Sequence, residues 1–477
     1  MANRQKVGDK VNKRVEKMRH QSIAALLEEL GPDTVIEGDS LYDRAESYWN
    51  SASTQALAMV RPRTTEEVSR ALSICCRYNQ PVISQGGLTG CVQGAIAGPD
   101  EVILSLERMT CIESIDEIGA TVIVQAGAIL QTVQETVEEK GLLFPLDMGS
   151  RGSCSIGGNV ATNAGGINVL RYGMMRNLVL GLEVVLADGS VLSSMNQMLK
   201  NNAGYDLKQL FIGSEGTLGI VTRAVLKLFP QPTTCNCALV AIESFAQVIT
   251  LLKTLQRDLV GTLSAYEVMW GNYFRAVTDV GGHRAPMGRD YPFYVVVESE
   301  GATPETDNER FEYVLGQALE GNIIVDAILS KSGADRRTIW NIREIFDDIL
   351  KPKPTYLYDI SLPIKAMAVY VDQLEVELKL LWPNSLLHVF GHMADGNLHL
   401  FVQPGIEGDF HVDCDQAVYS LLKTFNGSIS AEHGIGHEKK SWLQQSRNQS
   451  ELNLMRALKL TLDPSNILNP GRVFDVA

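Results

Sequence analysis

The sequence lacks long apolar runs, and it lacks an excess of basic residues. No stretch approaches the roughly 18 to 20 consecutive apolar residues of a membrane-spanning helix, so we expect no integral membrane segment. Lysine and arginine number 42 against 56 aspartates and glutamates, which gives a formal net charge of −14. Because nucleic-acid binding requires a basic surface, we do not expect nucleic acid as a partner.

Cysteine is also sparse, since eight residues are scattered over 477 positions, too thinly for a disulfide scaffold. The first twenty residues are basic, but they contain Asp9 and Glu16 and no apolar core follows them. We therefore do not expect a signal peptide. These absences predict a reducing compartment, which is the cytoplasm or, in a eukaryote, the mitochondrial matrix.

Glycine, by contrast, is abundant, with 41 residues that are unevenly spread. The first cluster, residues 85–94 (QGGLTGCVQG), follows a predicted strand, and its glycines let backbone N–H groups converge on an anion. A phosphate-binding loop is one interpretation, and a glycine-rich turn is the other. Residues 149–166 (GSRGSCSIGGNVATNAGG) offer many hydrogen-bond partners to a flat polar ligand, and residues 212–220 (IGSEGTLGI) form the third cluster.

The character of the sequence changes at Pro230 and Pro232. Before them, short strands alternate with helices, and Asp188-Gly189 predicts a hairpin turn. After them, alternating strand-like stretches mix with amphipathic helices. We therefore predict an α+β protein that consists of domains 1–230 and 231–440 and a C-terminal helical segment, 441–477.

Six of the eight histidines lie between residues 388 and 437, in the second predicted domain. The strand-like segments LLHVF and LHLFV are joined by a predicted turn at 394–397, and such a hairpin would bring His392 and His399 together. Two imidazoles and one carboxylate with open positions are a standard site for Zn²⁺ or a similar ion, and Glu432 is the natural third ligand. His433 would then be free to act as a base, although structural histidines are the alternative interpretation.

The three glycine clusters together resemble the FAD-binding domain of the vanillyl-alcohol-oxidase/p-cresol-methylhydroxylase type, and the resemblance covers nearly the whole chain. It implies an FAD-binding domain of two α/β subdomains, an α+β substrate (cap) domain with an antiparallel sheet, and the C-terminal helical segment. It also implies that the first cluster holds the FAD pyrophosphate, the second the isoalloxazine and ribityl groups, and the third the adenine. The first loop has no histidine, so we expect non-covalent FAD. The implied cofactor-binding residues are Gln85, Gly86, Gly87, Leu88, Thr89, Gly90, Gly94, Asp147, Ser150, Cys154, Ser155, Gly157, Gly158, Asn159, Thr162, Asn163, Gly165, Gly219, Ile220 and Asn469.

The segments GHMADGNLH and SAEHGIG are similar to signatures of the D-2-hydroxy acid dehydrogenase branch of this family, which includes D-lactate and D-2-hydroxyglutarate dehydrogenases. This resemblance implies that His392, His399 and Glu432 bind a divalent metal, most simply zinc, with manganese, iron or cobalt as alternatives. It implies oxidation of a D-2-hydroxy acid to the 2-keto acid, in which His433 removes the hydroxyl proton and the hydride passes to flavin N5. The sequence leaves the electron acceptor open: an electron-transfer flavoprotein or a quinone is expected, and oxygen is the alternative, although related dehydrogenases mostly avoid it. The resemblance also suggests a homodimer.

Arg343 resembles the family arginine that binds the substrate carboxylate, although a surface arginine on an amphipathic helix is the alternative. Family members that act on D-2-hydroxyglutarate hold its distal carboxylate with a threonine, a lysine and an asparagine, and here these positions are Asp347, Leu357 and Phe401. Strand alternation places Phe401 on the face of His399. We therefore expect a distal substrate group that is not anionic. The predicted pocket consists of Arg343, Asp347, Leu357, Asn397 and Phe401.

Other functions are compatible with parts of the sequence. A metal hydrolase could use the histidines and the glutamate with a water, but it would leave the glycine clusters unexplained. A non-redox relative of the ether-lipid type would lack the GHMADGN pattern. D-2-hydroxyglutarate dehydrogenase proper and the flavin subunit of a glycolate-oxidase-type complex are further alternatives. We expect His388 and His437 to be structural.

Overall fold

The chain was analysed as a computed structural model, which describes residues 18–41, 43–279, 284–347, 349–352 and 354–476. The N-terminal segment in which we expected no signal peptide lies mostly outside these residues. Within the described part of the chain, no helix combines the length and the apolarity that crossing a membrane requires.

The described residues up to Pro230 form short strands and mostly short helices. The strands are β1 (Val35–Ile36), β2 (Ala58–Val60), β3 (Val82–Gln85), β4 (Val102–Ser105), β5 (Ile112–Asp116), β6 (Thr121–Gln125), β7 (Leu142–Leu143), β8 (Val179–Val185), β9 (Val191–Ser194), β10 (Ile220–Lys227) and β11 (Phe229–Pro230). The helices are α1 (18–30), α2 (Thr65–Tyr78), α3 (Leu130–Glu138), α4 (Ile156–Thr162), α5 (Val169–Tyr172), α6 (Met175–Leu178) and α7 (Lys208–Phe211), with a 3₁₀ helix at Gly38–Leu41.

These strands build two main sheets. One has the order β1-β2-β4-β3, in which β2 and β3 both run parallel to β4 and α2 connects them. The other has the order β5-β6-β10-β8-β9 and is antiparallel. Helix α2 begins where Thr64 accepts the N–H of Glu67, and the hairpin predicted at Asp188-Gly189 joins β8 to β9. Gly189 has φ +89°, the left-handed conformation that such a turn favours.

The later part of the chain is dominated by one large sheet. Its strands are β12 (Thr234–Ile242), β13 (Leu263–Trp270), β14 (Phe293–Gly301), β15 (Asp326–Leu329), β16 (Tyr356–Ser361), β17 (Leu386–His392) and β18 (Asn397–Gln403). The helices are α8 (Phe245–Asp258), α9 (Gly271–Asp279), α10 (Pro304–Glu320), α11 (Gly333–Glu344), α12 (Met367–Leu381), α13 (His411–Thr424) and α14 (Gln449–Leu462), with 3₁₀ helices at Ile364–Ala366, Met393–Asp395 and Lys440–Gln445.

The large sheet is antiparallel, in the order β15-β12-β14-β13-β17-β18-β16, so the predicted α+β class with an antiparallel second sheet is confirmed. Helices α8, α10, α12 and α13 pack on one face, and helices α9 and α11 pack on the other. After α14 the chain returns to the first sheet, where Leu468 pairs with Val82 beside β3. The end of the chain therefore lies next to the first glycine cluster.

Candidate active site

A cavity of about 320 Å³ lies where the three glycine clusters meet the loop at residues 430–436. All three clusters contribute to its wall, together with Glu432 and His433, so the structure brings these distant segments together. We call the three clusters the cradle. The predicted cofactor residues on the wall are Gln85, Gly86, Gly87, Leu88, Thr89, Gly90, Gly94, Ser150, Cys154, Ser155, Gly157, Gly158, Asn159, Thr162, Gly165, Gly219, Ile220 and Asn469.

Two residues predicted to contact the cofactor support the cradle from outside its wall. Asp147 pairs with Arg151 at 2.6 Å, and its carbonyl accepts the N–H of Ile167. Asn163 ends α4 with φ +51°, and its side-chain oxygen accepts the N–H of Arg176. Both side chains shape the loop, and neither is among the residues that line the cavity, so their contact with the cofactor stays a prediction.

The cradle depends on close backbone approaches. A Cβ atom placed on Gly87 would lie 2.0 Å from the carbonyl oxygen of Ser153, so the first and second clusters could not approach as they do with any other residue there. Asn469 fixes the third cluster to β3, because its Oδ1 accepts the N–H of Ser84 at 2.8 Å and its Nδ2 donates to the carbonyl of Glu215 at 2.6 Å. The wall is therefore held by backbone contacts and small side chains.

The wall also has hydrogen-bonding capacity to spare. Asn159 is 4% exposed, and its Nδ2 has no hydrogen-bond partner among the described residues. A buried amide donor without a partner is costly, and a polar ligand in the cavity would satisfy it. The backbone of the first cluster, free of large side chains, suits an anion such as a phosphate. The cavity therefore fits a cofactor with phosphate groups and a polar ring system.

The hairpin of β17 and β18 brings His392 and His399 together, as the sequence predicted, with 5.4 Å between their ring centroids. Glu432 completes the set, with its Oε2 3.7 Å from Nε2 of His392. One ligand atom from each of the three residues lies within 4.8 Å of the others. Two imidazoles and a carboxylate at this spacing have the donor chemistry of a divalent-metal site.

Glu267 on β13 is a member of this site that the sequence analysis missed. Its Oε1 lies 2.7 Å from Nδ1 of His392, and its Oε2 accepts a hydrogen bond from Nε of Arg343 at 2.8 Å. Burial opposes the ionisation of Glu267, but His392 and Arg343 outweigh it and lower its pKa to about 2. Arg343 is itself buried, with Nη2 3.2 Å from Nε2 of His392, so it is not a surface arginine.

Asp359 on β16, also missed, anchors the loop that carries Glu432. Its Oδ2 accepts three backbone N–H bonds, and its Oδ1 accepts Nδ2 of Asn397 at 2.8 Å. The Nδ1 atoms of His399 and His433 lie 3.9 and 4.0 Å from this carboxylate. Burial opposes its charge, but neighbouring cationic groups hold the pKa of Asp359 well below its usual range. The three N–H donors to Oδ2 come from Ala431, Glu432 and His433.

Asp359 also has a ligand atom within 4.8 Å of His399 and His433, which raises the question of a second metal set. Its two oxygens already accept backbone and amide hydrogen bonds. A carboxylate engaged in this way orients its neighbours rather than binding an ion of its own. We therefore define the ionisable cluster as Glu267, Arg343, Asp359, His392, His399, Glu432 and His433.

The remaining predicted pocket residues lie at different depths. Phe401 shares the face of His399, as predicted, but it is fully buried between Phe346 and Phe390. Phe401 therefore belongs to the core cluster behind His399, and its contact with the substrate stays a prediction. Asp347 is exposed after α11.

Asn397 and Leu357 are the other two residues of the predicted pocket. The surroundings of Asn397 suit a polar ligand group, and those of Leu357 suit an apolar one. Asn397 is buried at the start of β18, and its Oδ1 has no hydrogen-bond partner in the described part of the chain. Leu357 is 39% exposed and lines a second cavity of about 420 Å³, which shares Gly90, Cys91 and Gln93 with the first. The two histidines that we expected to be structural are not members of the ionisable cluster. His388 is buried, and His437 is exposed.

The comparisons with known proteins agree with this geometry. Residues 56–194 match the family model of an FAD binding domain, and residues 231–473 match that of the C-terminal domain of FAD linked oxidases. The chain is 40% identical to mitochondrial D-2-hydroxyglutarate dehydrogenase of Bos taurus, over 94% of this chain and 82% of the relative. It is 39% identical to D-2-hydroxyglutarate dehydrogenase of Xanthomonas citri, over 88% of this chain and 89% of that protein.

Solved structures of low sequence identity share the fold. p-Cresol methylhydroxylase superposes with a TM-score of 0.76 at 17% identity, and the match covers 96% of this chain and 98% of that one. An alkyldihydroxyacetonephosphate synthase superposes with a TM-score of 0.70 at 18% identity, covering 93% and 84%. The predicted architecture of the p-cresol-methylhydroxylase type is therefore confirmed.

The fold and its cradle define a flavin-dependent oxidoreductase. The chain belongs to the family of FAD linked oxidases, and it groups there with the D-2-hydroxyglutarate dehydrogenases. FAD as the cofactor and the predicted enzyme class, an FAD-dependent dehydrogenase of 2-hydroxy acids, are both confirmed at this level.

Proposed function

We propose that the protein oxidises a D-2-hydroxy acid to the 2-keto acid, using non-covalent FAD and a divalent metal, with His433 as the base. The observation that carries the proposal is the position of Glu432 and His433. They line the cavity of the cradle, and they also belong to the ionisable cluster. A substrate that lies between the cradle and the ionisable cluster would contact the cofactor, the metal ligands and the base at the same time.

The cradle residues fit FAD, which when bound would supply the acceptor for a hydride. Asn159 has an unused amide donor on the wall, and the first cluster offers backbone N–H groups to the pyrophosphate. Burial raises the pKa of the Cys91 thiol to about 11 and also raises that of Cys154. Neutral thiols are poor nucleophiles, which supports the proposal that the flavin is not attached covalently.

The ligands proposed for the metal are His392, His399 and Glu432, and zinc is the first candidate, ahead of manganese, iron or cobalt. Glu267 would orient His392 through its Nδ1, as carboxylates do for many metal-bound imidazoles. A divalent ion held there would supply Lewis-acid polarisation of the substrate hydroxyl. Arg343, oriented by Glu267, would bind the carboxylate through the part of its guanidinium that faces the site.

His433 would accept the hydroxyl proton of the substrate. Its Nδ1 edge faces Asp359, which leaves Nε2 directed away from that carboxylate and available to a ligand in the cavity. A carboxylate behind an imidazole favours the tautomer with the proton on Nδ1 and stabilises the imidazolium that forms. His399 has the same carboxylate behind it, but His433 is the histidine that lines the cavity among the described residues, and this position supports it as the base.

We further propose that the distal substrate group is not anionic. The wall of the second cavity combines the apolar side chains of Trp49, Ile96 and Leu357 with uncharged polar ones. The ionisable groups among its described lining residues are the acidic side chains of Glu46 and Glu438 and the thiol of Cys91. An anion placed there would be repelled. Oxidation of D-2-hydroxyglutarate is the second candidate, because that substrate is in the names of the Bos taurus and Xanthomonas citri relatives.

The remaining proposals rest on the family. We propose an electron-transfer flavoprotein or a quinone as electron acceptor, a homodimer, and the three segments 1–230, 231–440 and 441–477 as the domain organisation. For the location we propose the cytoplasm or, in a eukaryote, the mitochondrial matrix, since eukaryotic relatives are named as mitochondrial.

Anaerobic reduction of the bound flavin by a panel of D- and L-2-hydroxy acids, with and without a chelator, tests the proposed function. We expect bleaching by D-enantiomers with a neutral side chain, weak bleaching by D-2-hydroxyglutarate, and loss of bleaching after chelation. Preference for the L-enantiomers, or bleaching unaffected by thorough metal removal, would contradict the mechanism. A clear preference for D-2-hydroxyglutarate would select the second candidate.

A further inference from the structure

The loop at residues 430–436 is held from two sides by two carboxylates, one from a strand of the large sheet and one from the third glycine cluster. From the large sheet, Asp359 accepts the N–H groups of residues 431–433. From the cradle, Glu215 accepts the N–H groups of Ile435 and Gly436. Because this loop carries Glu432 and His433, its position relative to the cradle sets the position of both proposed functional groups.

The contacts of Glu215 with the loop use both oxygens of its carboxylate. Oε1 accepts the N–H of Ile435 at 2.8 Å, and Oε2 accepts the N–H of Gly436 at 2.8 Å. The backbone of Glu215 is fixed as well, because its carbonyl accepts Nδ2 of Asn469 and its φ is +52°. Such a conformation is uncommon for a residue with a side chain and persists where surrounding contacts require it.

The loop is shaped to admit this carboxylate. Gly434 has φ +86°, and a Cβ atom on it would lie 2.8 Å from Oε1 of Glu215. Any side chain at residue 434 would therefore strain the backbone and push the loop away from the carboxylate. Gly434 and Glu215 therefore form a closely packed contact between the ionisable cluster and the cradle.

We propose that Glu215 is a positioning residue for the oxidation: by holding residues 435 and 436, it fixes the distance between the flavin and the segment that carries Glu432 and His433. The inference rests on the proposed function. Reacting atoms must approach to about 3–3.5 Å, and a displacement of about 1 Å can lower the rate about 100-fold. The side chain of Glu215 acts here through the loop and not through the substrate.

The test compares Glu215→Gln with Glu183→Gln in the full-length holoenzyme. Glu183 is a matched control, since it is a buried glutamate of the same part of the chain whose carboxylate binds Thr65, Thr222 and Arg223 instead of the loop. Two quantities are measured: the rate of anaerobic flavin reduction per bound flavin, and the amide hydrogen exchange of a peptide covering residues 430–437. Glu215→Gln replaces one acceptor oxygen with an N–H₂ group that cannot accept the amide hydrogen.

We expect Glu215→Gln to keep its flavin, to exchange the amides of the 430–437 peptide faster, and to reduce flavin about 100-fold more slowly. Glu183→Gln should match the wild type in both measurements. Unchanged exchange, or a reduction rate per flavin equal to that of the wild type, would overturn the inference. If Glu215→Gln loses flavin, Gly434→Ala provides the same test, because it disturbs the same contact from the side of the loop and keeps the Glu215 carboxylate in the protein. If no 2-hydroxy acid reduces the wild-type flavin, the proposed function fails, and the exchange data alone decide whether Glu215 holds the loop.

Discussion

The cradle and the ionisable cluster meet at one cavity but are built in opposite ways. The cradle consists of backbone groups and small side chains from three glycine clusters, and it depends on approaches that no Cβ would permit, such as the one at Gly87. The ionisable cluster consists of carboxylate, guanidinium and imidazole side chains from four strands, one helix and one loop, linked by hydrogen bonds such as those of Glu267 with Arg343 and His392. One region selects its ligand by shape and backbone amides, and the other by charge.

The difference predicts different failures. In the cradle, an added methyl group should displace backbone and weaken cofactor binding. In the ionisable cluster, removal of one charge should leave a buried partner uncompensated, and such losses are among the largest known for single substitutions. The predictions below test this contrast, beginning with the largest expected effect.

His433→Asn should abolish most of the catalytic rate and leave the cradle intact. Loss of a general base lowers rates by roughly 10²- to 10⁴-fold, so flavin reduction by a D-2-hydroxy acid should slow by that factor. The measurement is stopped-flow flavin absorbance under anaerobic conditions, with flavin content determined on the same samples. His437→Asn is the matched control, since that histidine is four residues away and exposed.

Retention of the wild-type rate in His433→Asn would exclude this residue as the base. Equal losses in His433→Asn and His437→Asn would instead indicate that the whole loop is sensitive to substitution.

Glu267→Gln should damage stability and metal binding together. It leaves the buried Arg343 and His392 without their carboxylate, and breaking a buried ion pair by removing one partner costs about 3–5 kcal/mol. Loss of a carboxylate behind a ligand imidazole also weakens metal affinity by about 10- to 100-fold. Denaturant unfolding and Zn²⁺ titration measure the two effects.

Glu298→Gln separates these two effects. Glu298 lies in the same sheet and is equally buried, but it pairs with Arg336 and Trp340, away from the histidines. Its replacement should lower stability while Zn²⁺ affinity stays at the wild-type value. A fall in Zn²⁺ affinity in both variants would show that metal binding reports general stability, and Glu267 would lose its assigned role.

Gly87→Ala should affect the cradle alone. The new Cβ would have to move away from the Ser153 carbonyl, and overpacking of this kind costs about 1–3 kcal/mol, or roughly 5- to 150-fold in FAD affinity. Fluorescence titration of the apoprotein with FAD measures it. Gly316→Ala is the control, because a Cβ there meets no atom within 4 Å and should leave FAD affinity unchanged. An unaltered FAD affinity in Gly87→Ala would mean that the loops can separate without cost.

The same contrast explains how much could be predicted from the sequence. The cradle was predictable because its glycines are local signals: residues 85–94, 149–166 and 212–220 mark close approaches wherever the chain folds them. The hairpin that joins His392 and His399 was equally local, since strand alternation and the Gly396 turn are visible in the sequence. The alternation of strand-like and helical segments also predicted the α+β class, while the antiparallel second sheet was implied by the family resemblance.

The partners of the ionisable cluster were not predictable by the same means. Glu267 and Asp359 reach the histidines only through the order of strands in the large sheet, which no short motif encodes. One signal was available, since Glu267 is the only charged residue in the strand LSAYEVMW, and a charge inside an apolar strand requires a partner. For Phe401, the face of the strand on which it lies could be predicted from the sequence. Its burial could not, because it depends on packing against Phe346 and Phe390 from other segments of the chain.

The smallest predicted effect concerns the second cavity, which shares Gly90, Cys91 and Gln93 with the cavity of the cradle. Leu357→Lys would add a cation beside Glu438 in a partly open site, where an ion pair with a substrate carboxylate is worth about 1 kcal/mol. The ratio of kcat/KM for D-2-hydroxyglutarate to that for D-lactate should therefore rise about fivefold, by the usual conversion of energy to rate.

Leu386→Lys makes the same change at an exposed leucine at the opposite end of β17 from His392, and its ratio should equal that of the wild type. An equal rise in both variants would show a general effect of charge on a protein of net charge −14, and no rise in either would mean that the distal group does not enter this cavity. A selective rise would show that charge, which already distinguishes the ionisable cluster from the cradle, also determines which acid the enzyme accepts.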